Sequence, residues 1–200
     1  MARFTVTFDQ PIRVAFDADE RIARAPVDAH LKGMFFLRHT SVLKDEWDRI
    51  APTLSGPPRL GSYLPFSNYP FTDYLRLSIA SAKKQYPRES IAQALRLLER
   101  DSVKPFADST VGKVTLRMVP DLASAMLKIP DVQRMVFGVG RIIASATGPR
   151  SVRVEFKGVP SWLDCAALGN FEGAAAMYGE RTVIDVDVNG PGDATYDIRW

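Results

Sequence analysis

The period of the hydrophobic pattern changes near Gly140, and this change constrains the fold more than any other feature of the sequence. Before it, apolar residues recur at spacings of three and four, as in amphipathic helices. After it, they alternate with polar residues, as in half-buried strands. This order predicts an α+β fold in which helices pack on an antiparallel sheet. We expect one domain over residues 1–200, with a helical half over 28–140 and a sheet half over 141–200.

Apolar stretches predict the helices of the helical half. Asp28–Leu43 contains several large apolar residues, including Phe35 and Phe36, and predicts a buried helix. We expect Pro105 to end the helical pattern that precedes it, because proline removes a backbone hydrogen bond. Two stripes precede it, formed by Leu75, Ile79, Ala82 and Tyr86 and by Ile91, Ala94, Leu95 and Leu98. A further helix is predicted beyond it, with Ala107, Val111, Val114 and Met118 facing inward.

The segment from Ala51 to Pro70 is crowded with prolines and glycines, and it is therefore predicted to be a loop. It carries three aromatic residues, Tyr63, Phe66 and Tyr69. We expect these side chains to lie across the helical surface. The alternative is that they contact another chain, as in a scaffolding protein or a homo-oligomer.

The sheet half has the order strand, strand, helix, strand, strand. Alternation over four segments predicts the strands, and Leu163–Tyr178 has helical composition. An antiparallel sheet with one helix across a face satisfies this order. The four strand segments are Arg141–Ala146, Val152–Lys157, Ile184–Val188 and Thr195–Trp200.

A second alternating pair lies in residues 1–27. The two runs flank Asp9–Pro11, where the chain can turn, and they are expected to pair as an N-terminal β-hairpin followed by a connector. The runs are Phe4, Val6 and Phe8, and Ile12, Val14 and Phe16.

The helix over 163–178 has no continuous polar face, which indicates that it is covered on two sides. Cys165, Gly169 and Gly173 lie four residues apart and form a face of small residues, at a cost of about 1 kcal/mol per glycine in helix propensity. Such a face allows close approach of either another backbone or a ligand. Both alternatives, tight helix packing and ligand contact, remain open at this point.

Glu172 lies on the same face as Cys165, two turns along the helix. If this face is buried, the carboxylate needs a partner. One interpretation makes Glu172 a polar anchor in an apolar pocket, and the other pairs it with an arginine such as Arg141 or Arg153. The predicted ligand-binding residues are Cys165, Gly169, Glu172 and Gly173 from this helix, with Phe35 and Phe36 from the helical half.

The sequence predicts no catalytic residues and no metal ligands. His30 and His39 are not spaced as a metal-binding pair, and Cys165 is the single cysteine. Phosphate-binding loops, nucleophile elbows and zinc spacings are all missing. An enzyme that uses Cys165 or Glu172 is the less favoured alternative, and no cofactor is identified.

The charge pattern disfavours a nucleic acid as partner. The net charge is +3, from 26 basic and 23 acidic residues. Two basic clusters, Lys83 with Lys84 and Arg88, and Arg96 with Arg100, are interpreted as solvated helix faces. With no run of apolar residues long enough for a membrane span and no signal-peptide pattern, we expect a cytoplasmic protein.

Four segments together resemble an uncharacterised family of similar length that is expanded as paralogues in myxobacteria. They are Lys32–Phe36, Tyr86-Pro87, Gly169–Gly173 and Tyr196–Trp200. The helix with Cys165, Gly169 and Gly173, and Gly192-Asp193 before the last strand, are similar to four-vinyl-reductase-type domains. These domains resemble in turn the haem-nitric-oxide-binding domains and the transport-protein-particle subunits.

The resemblance implies an apolar ligand, a haem or an acyl chain, held between a helical half and an antiparallel sheet. Haem-binding relatives use a histidine of the helical half as axial ligand, whereas this chain has no histidine after His39. We therefore expect a non-catalytic regulatory or sensory domain that binds a small apolar ligand or a protein partner. A structural or scaffolding protein without a ligand is the alternative.

Overall fold

The computed structural model describes residues 2–56, 58–108, 113, 119–160 and 162–200. The predicted α+β fold is confirmed: helices dominate the first part of the chain, and an antiparallel sheet with one helix across it forms the second. The helices are α1 (Ala18–Ala23), α2 (Met34–Val42), α3 (Trp47–Ile50), α4 (Phe71–Gln85), α5 (Ile91–Asp108), α6 (Leu122–Leu127), α7 (Ile129–Val136) and α8 (Ala166–Met177). The strands are β1 (Ala2–Thr7), β2 (His30–Lys32), β3 (Asn68–Pro70), β4 (Arg141–Gly148), β5 (Ser151–Lys157), β6 (Val183–Gly190) and β7 (Asp193–Arg199).

The main sheet has five antiparallel strands in the order β1-β6-β7-β5-β4. Its inner face is apolar and buried, as the alternation in each strand predicts. Its outer face carries cross-strand pairs of opposite charge, Arg153 with Asp197 and Arg199 with Asp185. The inner face includes Val6, Val152, Val154, Ile184, Val186, Tyr196 and Ile198.

The N-terminal strand is confirmed, but the predicted hairpin is wrong. Strand β1 pairs with β6, with Phe4 opposite Val186, and the second arm of the hairpin, Ile12–Phe16, is not a strand. The pairing with β6 places Phe4 and Val6 on the inner face of the sheet. Because the two alternating runs do not pair with each other, a space remains between them.

Helix α8 lies between the sheet and α5. On one side its Phe171 ring packs edge-on against Tyr196 of β7, at 4.9 Å between ring centroids. On the other side its glycines contact the backbone of α5. The prediction that this helix is covered on two sides is therefore confirmed, and the layers are sheet, α8 and α5.

Two boundaries in the helical half differ from prediction. The stretch Asp28–Leu43 forms the short strand β2 and then α2, because residues 30–32 pair with 68–70 in a two-stranded ribbon. Helix α5 continues through Pro105 to Asp108, so the predicted break is wrong. For the helix predicted beyond Pro105, Val111, Val114 and Met118 lie outside the described residues.

The predicted loop over Ala51–Pro70 is confirmed between two short elements, a 3-10 turn at Ala51–Thr53 and strand β3. Tyr63 is buried and stacks on Phe36, and Tyr69 is half-buried beside both rings. Phe66, in contrast, is 69% exposed. Two of the three aromatic residues thus lie across the helical surface, and a partner contact through Phe66 stays a prediction.

Within the described part of the chain, no helix combines the length and the apolar character that a membrane span requires.

Candidate ligand-binding groove

The small-residue face of α8 is filled by α5. A Cβ atom added at Gly169 would lie 2.0 Å from the carbonyl oxygen of Arg96, and one added at Gly173 would lie 2.5 Å from that of Arg100. These distances are far below van der Waals contact, so the glycines allow two helix backbones to approach closely. Of the two alternatives left open by the sequence, the structure shows tight helix packing at Gly169 and Gly173.

Cys165 is enclosed at the start of α8. Its side chain is fully buried, and its Sγ atom lies 3.8 Å from the carbonyl oxygen of Trp162. Burial, followed by the nearby Asp164 carboxylate, raises the pKa of the Cys165 thiol well above its usual value. The thiol is therefore protonated and shielded, which is typical of a packing cysteine rather than a nucleophile.

Glu172 forms a buried ion pair with Arg96 of α5, and both side chains are at most 1% exposed. The Nε atom of Arg96 donates to both carboxylate oxygens, at 3.1 and 2.9 Å, and Nη2 donates to one of them. The predicted arginine partner exists, but it is neither Arg141 nor Arg153. Burial raises the pKa of Glu172, and the Arg96 guanidinium opposes that rise.

Arg96 also holds the N-terminal segment. Its Nη1 atom donates to the carbonyl of Gln10 at 2.6 Å, and its Nη2 atom donates to that of Thr7 at 2.9 Å. Arg96 was interpreted from the sequence as part of a solvated basic face, and this interpretation is wrong. The signal that could have identified it is its position between Leu95 and Leu98 of the apolar stripe.

Phe35 and Phe36 lie in the helical half. Phe36 is fully buried in an aromatic cluster with Tyr63, Tyr69 and Tyr74, and Phe35 stacks on Phe106 at 6.0 Å. The structure thus places them on α2, whereas Cys165 and the α8 glycines lie in the α8 layer. A ligand-binding role for these six residues stays a prediction.

A groove of about 490 Å³ lies between β1 and the segment Pro11–Ala15, the two runs that were predicted to pair as a hairpin. One wall is β1, with Phe4 and Val6, and the other is the extended segment Pro11–Ala15. Asp164, just before α8, lines it as well. Its volume falls in the range of ligand sites, and most of its lining residues are apolar. The lining residues are Ala2, Phe4, Thr5, Val6, Gln10, Pro11, Ile12, Arg13, Val14, Ala15 and Asp164.

Two contacts fix the wall Pro11–Ala15. The backbone N–H of Ile12 donates to Oε1 of Gln93 on α5 at 3.0 Å, and Arg21 of α1 donates to the carbonyl of Ala15 at 3.0 Å. Arg21 also forms a two-point ion pair with Asp164, at 2.6 and 2.7 Å. The groove is therefore held open by α5 and α1 rather than by strand pairing.

The groove could not be predicted from the sequence, because the alternation in both of its walls is typical of paired strands. Ile12, Val14 and Phe16 have the same period whether or not they hydrogen-bond to β1. Pro11 is the available signal, since proline lacks the N–H that a strand ladder needs.

The two histidines lie outside the groove. His39 is buried in the helical half, where its Nδ1 atom lies 3.0 Å from Oγ of Ser81 and its Nε2 atom lies 3.3 Å from Oγ of Ser78. His30 is exposed on β2, with Nδ1 at 2.5 Å from the carbonyl oxygen of Asp28. In the described ranges, no three His, Cys, Asp or Glu side chains are grouped as a metal site would require.

A family model described as a protein of unknown function, DUF2378, matches residues 27–200. No curated protein matches the chain in sequence. Among solved structures, the unliganded Fe(II) H-NOX protein from K. algicida is similar, with a TM-score of 0.62 and 16% identity, over 84% of this chain and 96% of that chain. The S. oneidensis H-NOX protein in its Fe(II)NO state has a TM-score of 0.63 and 14% identity, over 84% and 98%. At such identities the likeness shows the fold, which agrees with the predicted similarity to haem-nitric-oxide-binding domains.

Proposed function

Because the chain belongs to the DUF2378 family of proteins of unknown function and has the H-NOX fold, we propose that it is a non-catalytic regulatory domain that binds a small apolar ligand without haem. The observation that carries this proposal is the groove between β1 and Pro11–Ala15. It lies at the inner face of the sheet, beside the N-terminal segment that α5 anchors. A ligand there would lie between the sheet and the N-terminal segment rather than against α8.

The residues do not fit a haem held by histidine. Both ring nitrogens of His39 are engaged by serine hydroxyls in a packed interior, and His30 is exposed on a short ribbon. Neither histidine lines the groove. The S. oneidensis relative takes nitric oxide on Fe(II), whereas we infer an organic ligand for this chain.

The apolar lining indicates the class of ligand. Phe4, Val6, Ile12 and Val14 offer hydrocarbon surface, and Asp164 is already paired with Arg21. Arg13 is the one other charged side chain of the lining. Binding would be stabilised chiefly by burial of apolar area, at about 25 cal/mol per Å² before the costs of association. A small, mainly hydrocarbon molecule fits this lining better than a polar metabolite.

A regulatory role follows from how the groove wall is attached. Ile12 is bonded to Gln93, and Gln10 is bonded to Arg96, so two residues of α5 hold the wall. A ligand that moves Pro11–Ala15 must strain or break these bonds. Occupancy of the groove would thereby be communicated to α5 and, through Glu172, to α8.

Native mass spectrometry of the purified protein, followed by denaturation and analysis of released molecules, tests the proposal. We expect a stoichiometric apolar adduct. We also expect the ligand-free protein to bind the amphiphilic dye 1-anilinonaphthalene-8-sulfonate, which carries an apolar ring system and one sulfonate, in a saturable 1:1 manner. Ala15→Trp fills the groove and should weaken dye binding at least about fivefold. Ala23→Trp adds the same side chain to an exposed site on α1 outside the lining, and it should leave binding unchanged.

Two results would contradict the proposal. The first is a bare chain mass together with dye binding that Ala15→Trp does not weaken, because it would remove the groove as a site. The second is a 1:1 complex with hemin whose Soret band is lost in His39→Gln, because it would restore a histidine-ligated haem.

A further inference from the structure

Four cationic side chains surround a crevice of about 290 Å³ on the helical half, and it shares no lining residue with the groove. It lies between the second half of α4 and the segment that leads into α3. The cations are Arg49, Arg76, Lys83 and Lys84, and the remaining lining residues are Glu46, Ile79 and Ala80.

The spacing on α4 explains why the cations converge. Arg76, Ala80, Lys83 and Lys84 follow one another at four, three and one residues, so their side chains share one face of the helix. Arg49 is contributed by α3 from the opposite side. Two separate elements therefore direct positive charge into one crevice.

Three carboxylates, those of Asp73, Glu46 and Asp45, pair with three of the four cations, so one positive charge is left without a partner among the described residues. The side-chain ammonium group of Lys83 makes no hydrogen bond or ion pair with any residue that the structure describes. Arg76 gives one long bond, 3.3 Å, to Asp73, whose two oxygens also accept the N–H of Ser55 at 3.0 Å. The other donors of the Arg76 guanidinium remain available.

The remaining two cations have exposed partners. Arg49 pairs with Glu46 one turn away, and Lys84 pairs with Asp45 and, at 3.7 Å, with Glu46. Ion pairs near the surface contribute little to stability, so a multiply charged ligand can replace them at little cost.

Helix-end electrostatics do not account for the whole cluster. Lys83 and Lys84 in the last turn of α4 complement the negative end of its dipole, as basic residues at helix ends commonly do. Arg76 lies two turns earlier and Arg49 belongs to another helix, so the dipole explains neither. Four cations against the carboxylates of Glu46, Asp45 and Asp73 leave an excess of one positive charge, which favours an anion.

We propose that this crevice binds a phosphoryl group, either in a free phosphate compound or in a phosphomonoester lipid headgroup. A phosphate dianion supplies three acceptor oxygens, and guanidinium groups such as those of Arg76 and Arg49 match these oxygens with two parallel N–H donors. Lys83 and Lys84 contribute point charges beside them. Ile79 and Ala80 form an apolar floor for the group that the phosphate carries. The proposal does not depend on the groove or on its ligand.

Calorimetric titration with inorganic phosphate at low ionic strength, against a matched chloride titration, tests the crevice. We expect saturable 1:1 binding that weakens about fivefold in Lys83→Ala, because one unpaired charge-assisted contact is lost. Lys83 is exposed and bonds to no described residue, so the variant should fold normally. Arg88→Ala is the matched control, since it removes the same charge near the end of α4 without altering the crevice lining.

Vesicles separate the two sources of the phosphoryl group. Binding to phosphatidylcholine vesicles that contain phosphatidic acid, but not to pure phosphatidylcholine, identifies a lipid headgroup if Lys83→Ala abolishes it. Binding to phosphate alone identifies a free compound. Equal losses in Lys83→Ala and Arg88→Ala would overturn the proposal by showing an effect of net charge only. No binding to vesicles or to phosphate up to about 10 mM would overturn it as well.

Discussion

At the scale of the residue, His39 is a histidine whose surroundings keep it neutral. Burial, with a smaller contribution from the Arg38 guanidinium, lowers the pKa of His39 to about 3. Ser78 and Ser81 accept or donate hydrogen bonds at its two nitrogens, so the neutral ring is satisfied in the interior. Tyr74 packs edge-on against it at 5.1 Å.

This lowered pKa predicts a loss of stability in weak acid. Since an unfolded histidine has a pKa of about 6.5, the unfolded chain takes up a proton below that pH while folded His39 does not. The contribution of His39 is therefore fully present above pH 6.5 and falls as the pH drops toward 3. Between pH 7 and pH 5 it should lower the free energy of unfolding by about 2 kcal/mol.

Chemical denaturation at pH 7 and at pH 5 measures this effect. In His39→Gln, the decrease in the free energy of unfolding from pH 7 to pH 5 should be smaller by about 2 kcal/mol, because the variant has no imidazole that takes up a proton on unfolding. His30→Gln replaces an exposed histidine and should keep the pH dependence of the parent protein. An unchanged pH dependence in His39→Gln would show that the ring is protonated or accessible in the folded state.

At the scale of the element, the close contact of α5 and α8 depends on Gly169 and Gly173. The sequence could predict that α8 is covered on two sides, because the pattern of bulky and small residues is local to the helix. The sequence does not determine whether another backbone or a ligand covers the small-residue face of α8, because that depends on the position of α5 in the fold. Strand alternation similarly predicted the sheet half correctly, while the partner of β1 was set by long-range pairing with β6.

Gly169→Ala should destabilise the protein although alanine is the better helix former. The gain in propensity is about 1 kcal/mol, whereas the new Cβ atom would lie 2.0 Å from the carbonyl oxygen of Arg96 and must push two backbones apart. We expect a net loss of at least about 2 kcal/mol in urea denaturation.

Asn170→Ala is the matched control on the next residue of α8, because Asn170 is exposed. It should change stability by no more than about 0.5 kcal/mol. A stabilised Gly169→Ala variant would mean that α5 and α8 are farther apart than the structure shows.

At the scale of the whole molecule, Arg96 joins three parts of the chain. It belongs to α5, it pairs with Glu172 on α8, and it donates to the carbonyl groups of Thr7, at the end of β1, and of Gln10. The fold is shared with H-NOX proteins at 14 to 16% identity. In this chain, the contacts of Arg96 connect the layers of that fold. Sequence reasoning missed this junction because an arginine on a helix is usually solvated.

Arg96→Lys should loosen the N-terminal segment selectively. Lysine cannot reproduce the planar fork that reaches Glu172, Thr7 and Gln10 together. The amide of Phe8, which donates to Thr182 at 3.1 Å, and the amide of Ile12 should exchange hydrogen at least about tenfold faster. Amides of the central strand β7 should be less affected.

Arg150→Lys serves as the control, because Arg150 forms a comparable but more exposed pair with Glu180. Hydrogen exchange in that variant should leave Phe8 and Ile12 unchanged. An equal acceleration across the whole sheet in Arg96→Lys would show that Arg96 supports global stability rather than this attachment.

The lining of the groove lies almost entirely in the first part of the chain. All of its residues except Asp164 precede residue 27, where the match to the family model begins. A substitution at Phe4 or Val14 therefore alters the groove outside the residues that the family model matches. In engineering terms, residues 2–15 are the segment in which variants of the groove can be selected, with Gln10 and Ile12 retained because α5 anchors them.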